Sequence, residues 1–346
     1  MSRKKILWLT SWYPNKNDRF DGDFIQRHAR AAAIYQDVHV IFVTDAAIDN
    51  AIEEELRRAT GLTEEIIYIQ RQKGILGRIA KQWKWKNIYQ EAVKKYIERN
   101  GIPDLVHVHI PWKAGLVGLW MKKKYQLPFI LSEHWNIYNN KVHDNFFKRS
   151  KFSQHLIKNC FDEATTVVTV SKFLANSIEN TIGIRPVVIL PNVVDTTLFY
   201  HKEEKYSRFS FIHVSNMVPV KNVTLILQAF QIFKQANLDA DVQLIMIGNR
   251  DDEYVDLAKN MGLLNTSVYF RGEVAYSEVA EEMRRCHCMV LFSDSETFSC
   301  VTAEALCCGL PVIASNVGAL PELIKPSNGV LVPVNDTKAL TVAMLQ

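Results

Sequence analysis

Short, near-continuous apolar runs alternate along this chain with longer stretches whose apolar residues recur every third or fourth position. In residues 1–192 the continuous runs are Ile6–Thr10, Val38–Thr44, Ile66–Gln70, Leu105–His109, Phe129–Ser132, Val167–Val170 and Val187–Leu190, and they read as strands. The periodic stretches between them, Phe24–Tyr35, Ile79–Arg99, Gly115–Tyr125, Phe152–Phe161 and Phe173–Asn180, read as helices. Residues 193–346 repeat the theme, with strands at Ser210–Val214, Gln243–Ile247, Val268–Arg271, Met289–Ser293, Pro311–Ala314 and Val330–Val332. Their helices are Val223–Gln235, Glu253–Met261, Tyr276–Arg285 and Cys300–Cys308. A strand that is apolar on both faces needs cover on both, and helical connections supply it. The pattern predicts an α/β protein of two Rossmann-like, doubly wound domains, 1–192 and 193–346, facing a cleft. The segment Pro191–Phe199 is the expected linker, because Pro191 and Asn192 break the preceding strand. Asp45–Leu62 and Asn136–Asp144 read as variable loops. The last periodic stretch, Thr337–Leu345, stops just short of Gln346 and reads as a truncated or unusually short terminus.

Composition narrows the class. A chain of 346 residues with 48% hydrophobic content can fill two cores. No apolar run is long enough to predict a transmembrane helix, and the start MSRKKILWLTSWYP lacks the cleavage pattern of a signal peptide, so a cytoplasmic protein is expected. Five of the six cysteines lie between Cys286 and Cys308. The triplet Cys286-His287-Cys288 lacks zinc spacing, and as strand residues the two cysteines would share a face as small buried hydrophobes.

Charge divides the chain. Residues 1–200 carry 29 Lys and Arg against 20 Asp and Glu, while residues 201–346 carry 12 against 17. Opposite signs point to different partners for the two halves. Much of the excess lies in residues 71–99, with nine basic and two acidic residues beside Trp83, Trp85 and Tyr89. That mixture suits peripheral attachment to the inner membrane surface, or equally a solvated helix with an aromatic core face. It accompanies no nucleic-acid-binding module, so no nucleic-acid partner is expected.

The chemistry concentrates in Glu296–Ser315, ETFSCVTAEALCCGLPVIAS. Two carboxylates, Glu296 and Glu304, flank the mouth of a helix that follows a buried strand. Backbone N–H groups at a helix N-terminus attract phosphate, and a carboxylate a turn further in accepts hydrogen bonds from paired sugar hydroxyls. The arrangement suits a nucleotide carrying a second sugar. Asp21-Gly22-Asp23 has the spacing of a metal-holding acid pair but lies in the first half, where it reads as a loop acid with a helix cap.

Taken in order, these motifs resemble the family 4 (group 1) retaining glycosyltransferases of the GT-B fold, which build bacterial polysaccharides. The resemblance rests on Trp12–Pro14, Gly22, Asp104–His109, Ser132–His134, Val170-Ser171, Pro191–Asp195, Lys221-Asn222, Gly248 and Glu296 through Ile313. It implies that Glu304 holds the ribose, Glu296 contacts the donor sugar, and Lys221 neutralises the leaving phosphate. By the same resemblance the backbone at Phe298, Ser299, Cys300 and Val301 receives the diphosphate, and His134 lies near the reacting carbon. Gly22 and Gly248 would let backbone approach the donor. Ser171 and Asn192 are expected to serve local structure, as a helix cap and an interdomain turn. Three departures stand out. Asn216 occupies a donor-site position where the family has arginine, leaving Arg250 or Lys172 to supply the cation. Ser215 and Ser299 replace glycines. The family's closing C-terminal helices are not expected within these 346 residues.

The implied reaction is hexosyl transfer with retention, from a UDP- or GDP-sugar to a hydroxyl on a glycan or lipid-linked acceptor. It needs no metal or other cofactor. The alternatives are a same-fold nucleotide-sugar epimerase and a nucleotide-sugar-binding protein with a decayed site.

Overall fold

The computed structural model describes residues 2–71, 75–140, 142–183, 187–237, 241–249 and 251–346, with residues 75–83 and 187 described by backbone alone. The chain divides into two compact units, Met1–Val193 and Val194–Gln346.

The first unit runs β1 (Lys5–Thr10), α1 (Asp23–Ala33), β2 (Asp37–Ala46), β3 (Ile52–Ala59), β4 (Leu62–Gln70), α2 (Ile75–Asn100), β5 (Leu105–His109), α3 (Ala114–Tyr125), β6 (Phe129–Glu133), α4 (Lys151–Glu163), β7 (Thr166–Thr169), α5 (Lys172–Ile182) and β8 (Val187–Ile189). Its sheet has the order β3-β4-β2-β1-β5-β6-β7-β8. Every pairing is parallel except β3 with β4. Strand β3 corrects the reading of Asp45–Leu62 as a loop. Its sequence, IEEELRRA, is charged, with Ile52 and Leu56 exposed. Charge on an edge strand deters further pairing, and it also hides the strand from a search for apolar runs. In the other expected loop, Asn136–Tyr138 forms a 3-10 turn with Ile137 and Tyr138 buried.

The second unit runs β9 (Phe209–Val214), α6 (Val223–Ala236), β10 (Val242–Ile247), α7 (Asp252–Asn260), β11 (Val268–Gly272), α8 (Tyr276–Arg285), β12 (Cys288–Leu291), α9 (Cys300–Cys307), β13 (Val312–Ser315), α10 (Leu320–Leu323), β14 (Gly329–Val332) and α11 (Thr337–Leu345). Its sheet, β11-β10-β9-β12-β13-β14, is wholly parallel. Alternate residues of each strand feed cores on opposite faces. Phe211, Leu244, Val290 and Ile313 join one, with Ile226, Phe230 and Phe233 of α6. Ile212, Ile245, Leu291 and Val312 join the other, with Ala280 and Met283 of α8. Burying a side chain of this size contributes about 1.5–3 kcal/mol, so continuous apolar strands are stable only between two helical layers.

Cys286 and Cys288 are buried free thiols, but they do not share a face. Cys288 packs with Val290 and Phe292, Cys286 with Met289 and Leu291. The reason is that Cys286 caps α8, one residue outside the alternation of β12. In α2, Trp85 and Tyr89 turn inward. The indole N–H of Trp85 donates to the Val43 carbonyl at 2.9 Å, and the Tyr89 hydroxyl donates to the Ile41 carbonyl at 2.6 Å. Neither is an interfacial aromatic, and the side chain of Trp83 lies outside the described residues. Among the described residues no helix is long and apolar enough to cross a membrane.

Candidate active site

Each sheet reverses its winding once, between β9 and β12 in the second unit and between β1 and β5 in the first. Helices leave to opposite sides there, so a crevice opens at the strand carboxyl ends. The residues expected to do chemistry gather at these two points.

In the second unit, the penultimate residue of β9 is the buried His213. Its Nδ1 lies 2.9 Å from the Val290 carbonyl and its Nε2 2.7 Å from the Ser215 hydroxyl. Burial lowers its pKa to about 4, which keeps the ring neutral. The Ser215 hydroxyl also accepts from the Met217 N–H at 3.0 Å, and Met217 adopts φ 54°. Asn216 is exposed on this turn. Gly248 follows β10 at φ 139°, where a Cβ would stand 1.6 Å from the Ser215 carbonyl oxygen. Glycine is required there by both backbone conformation and close packing.

Lys221 ends a 3-10 turn, Pro219–Lys221, instead of starting a helix as a solvated residue. Its Nζ meets Glu296 Oε1 at 2.6 Å, and the Ser293 hydroxyl donates to the same oxygen at 2.7 Å. Both charged side chains are largely buried. The sequence placed Lys221 and Glu296 in one site; their direct pairing appears only in the fold. The Glu296 carbonyl in turn accepts from the Ala319 N–H at 3.0 Å.

Ser299 holds the left-handed conformation, φ 75°, and opens α9. Its hydroxyl engages Thr302 Oγ1 at 2.8 Å, so it serves the turn. Phe298 is buried, while Cys300 and Val301 are half-buried in the first turn of the helix. Glu304 lies one turn further in, 4% exposed, and its Oε1 accepts from the Tyr276 hydroxyl at 2.8 Å. Acid, lysine, left-handed serine and helix N-terminus thus stand at one end of one sheet, an arrangement able to take a phosphate and a vicinal diol. Of the cations suggested to replace the absent arginine, Lys172 opens α5 in the first unit and Arg250 lies outside the described residues.

In the first unit, Gly22 occupies the cap position of α1 with φ 61°, and no side chain caps that helix. This corrects the reading of Asp21 and Asp23 as a capping pair. A Cβ on Gly22 would come within 2.6 Å of the Trp12 backbone, so the glycine lets α1 start against the β1 end. Asp23 instead pairs with Arg27 at 3.1 Å. Asp21 is raised to about 6, first by burial and then by Asp18. Among the described residues no group of three or more His, Cys, Asp or Glu is placed to hold a metal ion.

His134 follows β6, is 8% exposed, and packs on Phe24 with ring centroids 4.8 Å apart. The carboxylate before it, Glu133, is fully buried and accepts from the backbone N–H of His134 and of Trp135, each at 2.8 Å, and from the Tyr138 hydroxyl. Burial raises this carboxyl to about 7 despite those donors. Ser171 caps α5, its hydroxyl accepting from the Leu174 N–H at 3.1 Å. Asn192 Oδ1 meets His28 Nε2 of α1 at 3.1 Å.

Sequence reasoning did not single out His213, Ser293 and Tyr276 in the second unit or Glu133 and Tyr138 as partners in the first. A polar residue inside a buried strand, as His213 is in FSFIHV, was the one available signal. Tyr276 becomes legible only when distant elements meet, whereas Ser293 and Tyr138 lie three and five residues from their partners in loops whose conformation periodicity does not read.

Residues 24–198 match the model for Glycosyltransferase Family 4, and residues 197–346 match that for Glycosyl transferases group 1. An uncharacterized glycosyltransferase of Methanocaldococcus jannaschii is 29% identical over 263 residues, spanning 73% of this chain and 67% of that protein. Two other curated relatives are matched over 52% and 61% of their own lengths. Sucrose-phosphate synthase from Thermosynechococcus elongatus superposes with a TM-score of 0.76 at 21% identity, covering 99% of this chain and 89% of that one. Anabaena HepE in complex with UDP superposes with a TM-score of 0.71 at 19% identity, covering 98% and 88%. With residues 24–198, half of its length, matched by the first model and residues 197–346 by the second, on the two Rossmann-like domains of GT-B enzymes, the chain belongs to glycosyltransferase family 4.

Proposed function

We propose that this glycosyltransferase moves a hexosyl unit, with retention at the anomeric carbon, from a nucleoside diphosphate sugar to a hydroxyl of a growing or lipid-linked glycan in cell-surface polysaccharide synthesis. The second unit is the donor domain and the first the acceptor domain. The carrying observation is the convergence of Lys221, Glu296, the α9 N-terminus and Glu304 at the β9/β12 switch point. A UDP-linked donor is favoured over a GDP-linked one, consistent with the UDP complex of the Anabaena neighbour.

In this reading Glu304 accepts from the ribose hydroxyls, with its carboxylate steadied by Tyr276. The α9 N–H groups take the diphosphate. Lys221 leaves Glu296 for the departing phosphate, and Glu296 is then released to the sugar. Charge grows on that phosphate as the glycosidic bond breaks, so preorganised donors and a cation lower the barrier without a protein nucleophile or a metal. His134, at the strand ends of the first unit, supplies a polar contact to a sugar hydroxyl. Peripheral contact with the inner membrane surface through the basic residues of 71–99 would bring a lipid-linked acceptor near.

The test is a thermal-shift screen of UDP, GDP, ADP and TDP against the wild type and Glu304→Ala. A ligand at a hundredfold its Kd stabilises the native state by about 2.7 kcal/mol. The expected result is a shift with one nucleotide, UDP first, that disappears in the variant, followed by a retained anomeric configuration in the product by NMR and activity that survives EDTA. No shift with any nucleotide would overturn the donor-site reading, and a shift without any transfer or hydrolysis would move the decayed-site reading ahead. Turnover of the donor sugar without an acceptor would favour the epimerase.

A further inference from the structure

The DLVHVH segment, Asp104–His109, carries a second histidine that the proposed reaction leaves unused. His109 ends β5 beside Thr10 of β1 and Ser132 of β6, at the same switch point as His134. It is 2% exposed. Its Nδ1 lies 3.4 Å from His134 Nε2, and the two rings lie edge to edge and nearly coplanar, with centroids 5.7 Å apart and a 12° interplanar angle. The outward nitrogens, His109 Nε2 and His134 Nδ1, are buried with no hydrogen-bond partner among the described residues.

Burial and the neighbouring imidazoles His107 and His28 hold both rings well below the ordinary histidine value. Each ring is therefore neutral and carries one proton. Two facing nitrogens 3.4 Å apart can share only one of those protons, because two N–H groups would collide and two lone pairs would repel. The outward nitrogens must then differ: one is a donor and the other an acceptor. His109 Nε2 belongs to the more enclosed ring, with Trp8 and His107 each 4.2 Å away between centroids. A buried N–H without an acceptor is the rarer and costlier defect, so the bare lone pair belongs there. The N–H then falls to His134, the more accessible ring.

We infer that His109 is a positioning residue: its Nδ1–H donates to His134 Nε2 and locks His134 in the tautomer that offers Nδ1–H to a sugar oxygen. This rests on the reading of His134 as a sugar contact. It extends that reading by assigning the contact a direction, with the protein as donor and the sugar as acceptor, and by naming the residue that sets it. The tautomer that an imidazole presents is fixed by the bond its other nitrogen makes.

The experiment is 15N imidazole NMR of the full chain labelled at histidine, for the wild type, His109→Leu and His109→Asn, beside steady-state kinetics. The wild type is expected to show His134 protonated at Nδ1. His109→Leu, which removes the donor, should revert His134 to the Nε2–H form common for free side chains. It should lower kcat about tenfold, with the donor KM little changed. His109→Asn keeps an N–H near the Nδ1 position and should restore both tautomer and rate. UDP-induced stabilisation of the second unit, unchanged in all three, reports that the fold is intact. An Nε2–H form in the wild type, or an unaltered tautomer in His109→Leu, overturns the inference; should the leucine variant fail to fold, the wild-type spectrum still decides. A wild type that turns over no nucleotide sugar breaks the proposed reaction and leaves the spectral arm to judge the histidine pair on its own.

Discussion

The two units carry the same frame and fill it in opposite ways. Both place their chemistry where a doubly wound sheet reverses direction. In the second unit that place holds charge: Lys221 and Glu296 in contact, and Glu304 one turn into a helix that the Ser299 side chain does not cap. In the first it holds neutral, buried polarity: His109 and His134 kept uncharged by desolvation, and Glu133 pushed toward its protonated form. The lesson is that the fold dictates where a ligand goes, while the polar residues at the strand ends dictate what kind. A charged crevice suits a diphosphate. A crevice of neutral donors and acceptors suits a sugar, whose hydroxyls gain little from full charges and would leave them unpaired.

The largest effect that would test this contrast is on the charged side. Lys221→Ala removes the cation and should cost about a hundredfold to a thousandfold in kcat, by analogy with losing one transition-state donor. Nucleotide release assayed at saturating donor would check it, and a loss below about fivefold would show that the ion pair is structural. On the neutral side, Glu133→Gln tests whether desolvation governs the first unit. The folded chain holds the Glu133 proton up to about pH 7, whereas the unfolded chain loses it near the ordinary value of 4.5. The stabilisation from that proton is complete below pH 4.5 and is lost as pH rises through 7. Glutamine does not titrate, so stability relative to wild type should improve by about 2–3 kcal/mol between pH 4.5 and pH 8. Urea melts at the two pH values measure this, and an equal difference at both would contradict it. The smallest effect concerns Tyr276. Tyr276→Phe deletes one hydrogen bond to Glu304 and should weaken nucleotide binding by about 1 kcal/mol, roughly fivefold in Kd, with melting temperature nearly unchanged. Titration calorimetry with UDP would show it, and unchanged affinity would mean that Glu304 is oriented by other contacts.

Much of this molecule was legible before any coordinates. Apolar runs place thirteen strands within a few residues of their ends because strands buried on both faces cannot tolerate polar positions. Strand β3 escaped because its exposed edge is built of charge. Lys221, Glu296, Glu304, Gly248 and His134 were named through the resemblance of ordered motifs, and the structure sets them near strand carboxyl ends, where topology opens the crevices. The reading of Cys286 and Cys288 as face-sharing failed over a single residue of helix cap. The aromatics of 71–99 were ambiguous, since a core face and a membrane face share the same composition; Trp85 and Tyr89 proved to be core.

The sequence by itself determined the two-sheet architecture, because periodicity is a local, one-dimensional quantity, and its ordered motifs pointed to acids, a lysine and glycines near the strand ends. Only the tertiary structure decided which partner each group meets: Glu296 with Lys221 and Ser293, Glu304 with Tyr276, His134 with His109, and Glu133 with Tyr138. Some of those partners lie tens of residues apart in the chain. Their meeting, and the desolvation that shifts their protons, follows from the packing of whole layers and is recorded in no local pattern.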